Sequence, residues 1–370
     1  MSTRLSQFAP GQLWPDNHGV HINAHGGGVL FHEGVYYWFG EHKIAGKAGN
    51  VAHVGVHCYS SQDLYNWDDR GIALAVSDDP ASEIVKECVI ERPKVVRSRA
   101  SGAFVMWFHL ELKGRAYSAA RVGVATAEHP EGPYTFVGSF RPNAGHWPEN
   151  ATEEQKAALH DKALMAELEG KRLSGGANAD TPHYPVLARD FAGGQMSRDM
   201  ALFVDDDGAV YHVTASEENS TLHISLLTDD CLRTTGRYVR GFPNRWNEAP
   251  ALCKHGGRYW MISSDCTGWA PNTARLAVAD SIWGPWTELG NPCVGVNPAN
   301  GLGPEKTFGG QSTFILPVHG RPGAFVAMFD EWRPENAIDG RYLWLPIRFE
   351  AGRMVVPWMD QWDLGVFDRR

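Results

Sequence analysis

The chain has 370 residues, 43% of them hydrophobic and 21% charged, with a formal net charge of −9; it is long enough to bury a large core, and it lacks the basic run that nucleic-acid binding requires. No stretch approaches the roughly 18 consecutive apolar residues of a membrane span, and the N-terminus lacks the apolar centre of a secretory signal. The expectation is therefore no membrane association and a cytoplasmic chain, or a periplasmic or secreted one if a leader has been removed.

Residues 1–19 are irregular and marked by Pro and Gly, a lead-in to the first regular unit. His25-Gly-Gly-Gly-Val-Leu then runs through a turn at Glu33-Gly34 into Val35-Tyr36-Tyr37-Trp38-Phe39, aromatic and β-branched and therefore strand-like. Glu91-Arg92-Pro93-Lys94-Val95 leads in the same way through Ser101-Gly102 into Phe104–Phe108, and Asp199-Met-Ala-Leu-Phe leads through Asp207-Gly208 into Val210–Val213. Glu248-Ala249-Pro250-Ala251-Leu252 turns at His255-Gly256-Gly257 into Arg258–Ile262, and Gln311-Ser-Thr-Phe-Ile-Leu leads through Gly320 and Gly323 into Phe325–Phe329. A second phrase recurs in phase with the first: Asp63-Leu-Tyr-Asn-Trp67, Pro130-Glu-Gly-Pro-Tyr134 and Ile282-Trp-Gly-Pro-Trp286.

A hairpin that cannot bury its own apolar faces stacks on its neighbours, and all-β units of this length do so radially. The fold class is all-β, a five-bladed β-propeller forming one domain over residues 1–370. The blades cover about 21–76, 88–140, 197–240, 247–289 and 309–364, with 291–308 an irregular excursion. The 14 Trp, 11 Tyr, 16 Phe and 40 Gly suit interblade packing and dense turns. Cys58, Cys88, Cys231, Cys253, Cys266 and Cys293 show no CxxC or zinc-ligand spacing and read as free thiols.

Between blades two and three the pattern breaks from 143 to 195. Residues 151–169 are strong helix formers, capped by Asn150 or Thr152 with acidic residues in the first turn. Ala158, Leu159, Ala163, Leu164 and Leu168 mark one docking face. Residues 173–195 follow as a Gly-, Asp- and Pro-punctuated loop, placed to cover the channel mouth.

In a propeller the first strand of each blade lines the central channel, so the polar residue opening each repeat points at a common spot: His25, Glu91, Asp199, Glu248 and Gln311. Three carboxylates there repel one another, and at least one must hold a proton near neutral pH. That is the requirement for general-acid catalysis, and two carboxyls roughly 6.5–9.5 Å apart form the inverting glycosidase arrangement. The bland alternative is a wet channel whose polar residues satisfy only one another. Rim positions after the second strands add Glu41, Glu217, Asn219, Asp330 and Arg341, with Trp269 and Trp332 suited to stacking on a sugar face.

The stretches Asn23-Ala-His-Gly-Gly-Gly, Glu91-Arg-Pro-Lys-Val, Ser197-Arg-Asp-Met-Ala-Leu-Phe, Ser216-Glu-Glu-Asn-Ser-Thr, Asn247-Glu-Ala-Pro-Ala-Leu, Thr267-Gly-Trp-Ala-Pro-Asn and Gln311-Ser-Thr-Phe resemble glycoside hydrolase family 43, its exo-β-1,3-galactanase-like and galactofuranosidase-like branch. The resemblance covers nearly the whole chain outside the insertion. It implies an inverting, exo-acting hydrolase releasing a terminal galactose-type residue from an oligosaccharide or polysaccharide. Glu248 would be the general acid, Asp199 the carboxylate that raises its pKa, and Glu91 a ligand of substrate hydroxyls. Most of the family places its general-base Asp at the start of blade one, where this chain has His25-Gly-Gly-Gly; in the galactanase-like branch a Gln matching Gln311 sits by the attacking water. Gln311 would act through an unusual tautomer or position the water only, with Glu41, Glu91 and Glu217 open as the base. The alternatives are an α-L-arabinofuranosidase or β-xylosidase of the same family, and a carbohydrate-binding propeller without catalysis. The resemblance implies no required cofactor and leaves room for a structural calcium ion near His25.

Overall fold

A computed structural model describes residues 4–169 and 184–368. Blade one consists of β1 (His25–His32), β2 (Val35–His42), β3 (Gly55–Ser61) and β4 (Asp68–Ala75), and blade two of β5 (Val89–Arg97), β6 (Phe104–Glu111), β7 (Arg121–Ala127) and β8 (Thr135–Phe140). The insertion follows with three short helices, α1 (Glu153–Ala157), α2 (Lys162–Leu168) and α3 (Tyr184–Arg189). Blade three holds β9 (Met200–Val204), β10 (Val210–Ser216), β11 (Thr221–Leu227) and β12 (Thr234–Gly241); blade four holds β13 (Glu248–His255), β14 (Arg258–Ser264), β15 (Arg275–Ala279) and β16 (Thr287–Gly290). Blade five comprises β17 (Cys293–Val294), β18 (Gln311–Pro317), β19 (Phe325–Glu331), β20 (Arg341–Glu350) and β21 (Arg353–Pro357).

Each blade is an antiparallel meander with its first long strand innermost, and β1, β5, β9, β13 and β18 pack side by side in a ring that closes on β1. Strands of period two have two faces to bury, and each blade buries both against its neighbours. Among the described residues five apolar cores result. One between blades one and two includes Phe39, Val56 and Phe108, and another between blades four and five includes Trp260, Ile262 and Leu345. Among the described residues, the ring closes between blades five and one without strand exchange. Phe8 pairs with Trp362 through backbone bonds of 2.7 and 3.1 Å, and Phe8, Trp14, Trp38, Trp344 and Trp362 pack as one aromatic cluster.

The innermost strands share a device that the sequence repeats do not spell out. The residue after the opening polar one is left-handed at Gly26 (φ 64°), Arg92 (φ 56°) and Ala249 (φ 52°), and the register to the second strand slips at the same places. This is a β-bulge repeated in three blades; it bends the strand start and aims its first side chain.

Two segments differ from the sequence reading. The excursion at 291–308 contains β17, which adds a fifth strand to blade five by pairing parallel with β21. The single helix expected over 151–169 is two. Thr152 caps α1 in a capping box with Gln155, and Asp161 interrupts the helix by capping α2 through the Leu164 N–H. Ala158 and Leu168 are buried as expected, while Ala163 is exposed. Residues 184–189, read as part of the 173–195 loop, form α3; 173–183 of that loop, with the expectation that it covers the channel mouth, lie outside the described residues. All six cysteines are free thiols.

Candidate active site

Residues from all five blades meet at one end of the channel in a pocket of about 260 Å³. Its lining includes Glu41, Glu91, Asp199, Glu248, Gln311, Trp269 and Trp332, together with Arg92, Tyr117, Arg198, Asn219 and Gly268.

Arg92 organises one side. Its guanidinium forks onto Asp199 with Nε–Oδ1 at 3.1 Å and Nη2–Oδ2 at 2.8 Å, and Nη2 also reaches Gln311 Oε1 at 2.6 Å. A buried bidentate Arg–carboxylate pair fixes geometry as well as charge. Gln311 Oε1 accepts a second bond from Trp332 Nε1 at 2.9 Å, and its Nε2 donates to Ser264 Oγ at 2.9 Å. Two N–H donors facing one end of the amide allow only oxygen there, so the orientation of Gln311 is dictated by its neighbours.

Glu248 stands opposite. Its Oε1 accepts from Asn219 Nδ2 at 2.8 Å, and the backbone N–H of Ala249, presented by the bulge, donates to Asp199 Oδ2 at 3.1 Å. Burial, and next the nearby Asp199 charge, raise the Glu248 pKa to about 8, so the carboxyl carries its proton at neutral pH.

Glu91 has the opposite fate. Burial pushes its pKa up, but the hydrogen bond and charge of His109 outweigh it and hold the group at about 2. Glu91 accepts from His109 Nδ1 at 3.0 Å and from the Tyr117 hydroxyl at 2.6 Å. His109 Nε2 faces Glu111 at 3.0 Å, and with a carboxylate on each nitrogen the imidazole is raised to about 9 despite its burial. Glu41 pairs with Lys43 at 2.6 Å and accepts the Arg92 N–H at 3.1 Å. Burial raises its pKa in spite of Lys43. A β-carbon on Gly26 would overlap the Glu41 carboxylate, so this carboxylate fills the space over the glycine run of blade one.

Four sequence-named residues fall outside the pocket. His25 is 1% exposed; the bulge turns its ring onto Tyr342 at 5.3 Å, with Nδ1 3.9 Å from Asp330. Asp330 is buried and accepts the Gly26 N–H at 2.6 Å, anchoring the bulge, and burial lifts its pKa to about 7. Glu217 is wholly buried behind the rim, forked by Arg240 at 2.6 Å and bonded to His223 at 2.8 Å. Arg341 is spent on Asp339.

The additions carry uneven sequence signals. Arg92 and Arg198 each adjoin a channel acid in the chain, which marks them once the acids are placed. Tyr117 lies in the β6–β7 connection with nothing in its surroundings to mark it. Asn219, a rim residue by sequence, is the partner of Glu248.

A calcium ion near His25 is not favoured by these residues. The carbonyls of Gly26 and Arg92, oxygen donors a cation there would want, are taken by Lys94 Nζ at 3.0 and 3.3 Å. Glu91, His109 and Asp199 bring ligand atoms within 4.8 Å of one another. Both His109 nitrogens are bonded to carboxylates, however, and Arg92 holds Asp199, so a metal would have to break these bonds.

Residues 180–306 match the family model described as glycosyl hydrolases family 43. Among solved structures, a GH43 β-1,3-galactosidase with galactodeoxynojirimycin is 48% identical over 96% of this chain and 100% of its own, with a TM-score of 0.84. An exo-β-1,3-galactanase from Phanerochaete chrysosporium with β-1,3-galactotriose is 30% identical over 97% of this chain and 68% of its own, with a TM-score of 0.75. One from Clostridium thermocellum is 33% identical over 96% and 66%, with a TM-score of 0.74. No curated protein matches.

Proposed function

The chain belongs to glycosyl hydrolase family 43, and from that membership we propose that this pocket cleaves a terminal β-1,3-linked galactose from a galactan or galacto-oligosaccharide, with inversion at the anomeric carbon. The observation that carries the reading is Glu248: a carboxyl protonated at neutral pH, beside the Arg92-bound carboxylate Asp199. The relatives named above are galactosidases and galactanases, which favours galactose over the arabinofuranosidase and xylosidase readings. A binding protein has no use for a proton held against a neighbouring charge.

The steps follow from the positions. A galactose ring enters a pocket of about 260 Å³, below the ~300–1,000 Å³ of sites for larger ligands; one ring fits, which supports removal from a chain end. Glu91, ionised and fixed by His109 and Tyr117, accepts bonds from substrate hydroxyls, and Trp269 and Trp332 cover the mouth. Glu248 protonates the leaving oxygen as the C1–O bond breaks, and a water attacks C1 from the other face. Gln311 holds that water through the remaining N–H of its amide, because its oxygen is saturated by Arg92 and Trp332.

The water's proton is assigned to Glu41. Glu217 is buried elsewhere and Glu91 is too weak a base, whereas Glu41 is made more basic by burial and sits over Gly26, in the blade-one stretch where the resemblance puts most of the family's general-base Asp. Hydrolysis by Glu41→Gln and Gln311→Ala with and without azide tests this. Azide rescue of Glu41→Gln supports the assignment; rescue of Gln311→Ala alone moves the base to Gln311.

A further inference from the structure

The insertion between blades two and three touches the acid through a continuous chain of polar contacts, and we propose that it is a positioning element for Glu248. The inference rests on Glu248 being the general acid.

Asn219, which bonds Glu248, is delivered by the turn joining β10 to β11. Glu217, Glu218 and Asn219 are all left-handed there, with φ of 50°, 58° and 72°. Three consecutive residues with β-carbons take up that conformation only when their surroundings hold them. Two clamps do so. Glu217 is forked by Arg240 on β12, and the Arg240 backbone exchanges bonds of 2.8 and 3.0 Å with the Asn150 side chain of the insertion. Glu218, 3% exposed, is held between Arg198 at 3.0 Å and Arg189 of α3 at 3.2 Å. Arg189 is itself forked onto Asp190 at 2.8 and 2.9 Å.

Arg198 completes the path. It donates to Asn219 Oδ1 at 3.2 Å, which leaves the Asn219 amide nitrogen facing Glu248. The run Arg189, Glu218, Arg198, Asn219, Glu248 therefore connects the insertion to the carboxyl, and each link fixes the orientation of the next. Without Arg189, buried Glu218 loses one of its two cations, the turn relaxes and the Glu248 carboxyl loses its aim at the leaving oxygen.

The test compares Arg189→Met and Arg189→Lys with the wild type on β-1,3-galactobiose, whose leaving group needs a proton, and on 2,4-dinitrophenyl β-galactoside, whose leaving group does not. Arg189→Met is expected to lower kcat on galactobiose roughly tenfold, part of the 10²–10⁴ that acid catalysis supplies, with KM and the activated substrate little changed. Arg189→Lys should recover most of the loss. Equal loss on both substrates, or no loss, overturns the proposal. Should Arg189→Met fail to fold, Asn150→Ala carries the same readout through the other clamp. Glu248→Gln on the same two substrates separates the levels: if it shows no leaving-group dependence, the acid assignment itself fails, whatever the Arg189 variants do.

Discussion

Glu248 holds its proton because burial disfavours its charged form and, next, because ionising it would place a second charge beside Asp199. With Glu248 as the proposed acid, the active form is the protonated one, so kcat/KM should fall as pH rises through about 8. Replacing Asp199 by Asn removes the neighbouring negative charge, stabilises the Glu248 carboxylate and lowers its pKa. The alkaline limb of the rate profile should then move to lower pH, in addition to any loss of maximal rate. A limb that stays in place would show that Asp199 does not set the acid. Trp269 makes a different kind of contribution. It is 39% exposed and meets Trp332 edge-on at 5.7 Å, a surface for a sugar rather than for the core. Trp269→Ala should raise KM several-fold, the equivalent of about 0.5–1.5 kcal/mol of stacking, with kcat nearly unchanged in steady-state assays on galactobiose.

The bulge at the start of three of the innermost strands sets the direction of their opening side chains. At Gly26 it needs a left-handed residue and leaves no room for a β-carbon. Gly26→Ala should cost about 1–2 kcal/mol of stability from the backbone alone, and should lower kcat by displacing Glu41. Urea unfolding and a kinetic assay of the same sample would check both. The hairpins, the Gly turns and the polar openings are legible in the sequence because they follow from periodicity and residue type. The bulge is not, since Arg92 and Ala249 adopt φ values that nothing in their identity announces. The same gap accounts for His25, which opens a repeat as Glu91 does and yet turns onto Tyr342, and for the rim acids Glu217, taken by Arg240 and His223, and Asp330, taken by the Gly26 N–H. Helix propensity over 151–169 was readable; the break at Asp161 depends on a local choice between capping and continuing.

At the scale of the whole molecule, a propeller must hold its last blade against its first. Among the described residues no shared sheet does this: Phe8 and Trp362 pair across the seam and pack their rings with Trp14, Trp38 and Trp344. Phe8→Ala should cost about 3–5 kcal/mol, seen as a lower denaturation midpoint in urea, while a seam held mainly elsewhere would leave the midpoint unmoved. No helix among the described residues is long and apolar enough to cross a membrane. The net charge of −9 suits a neutral glycan better than a polyanion. The seam, the bulges and the insertion surround one pocket whose proposed chemistry turns on a single proton. The most direct test is therefore hydrolysis of β-1,3-galacto-oligosaccharides followed by proton NMR from the first minutes, for wild type and Glu248→Gln. α-Galactose appearing first with the wild type, lost on oligosaccharides in the variant and restored on dinitrophenyl β-galactoside, is the predicted result. β-Galactose appearing first, or an undiminished rate in the variant, would contradict it.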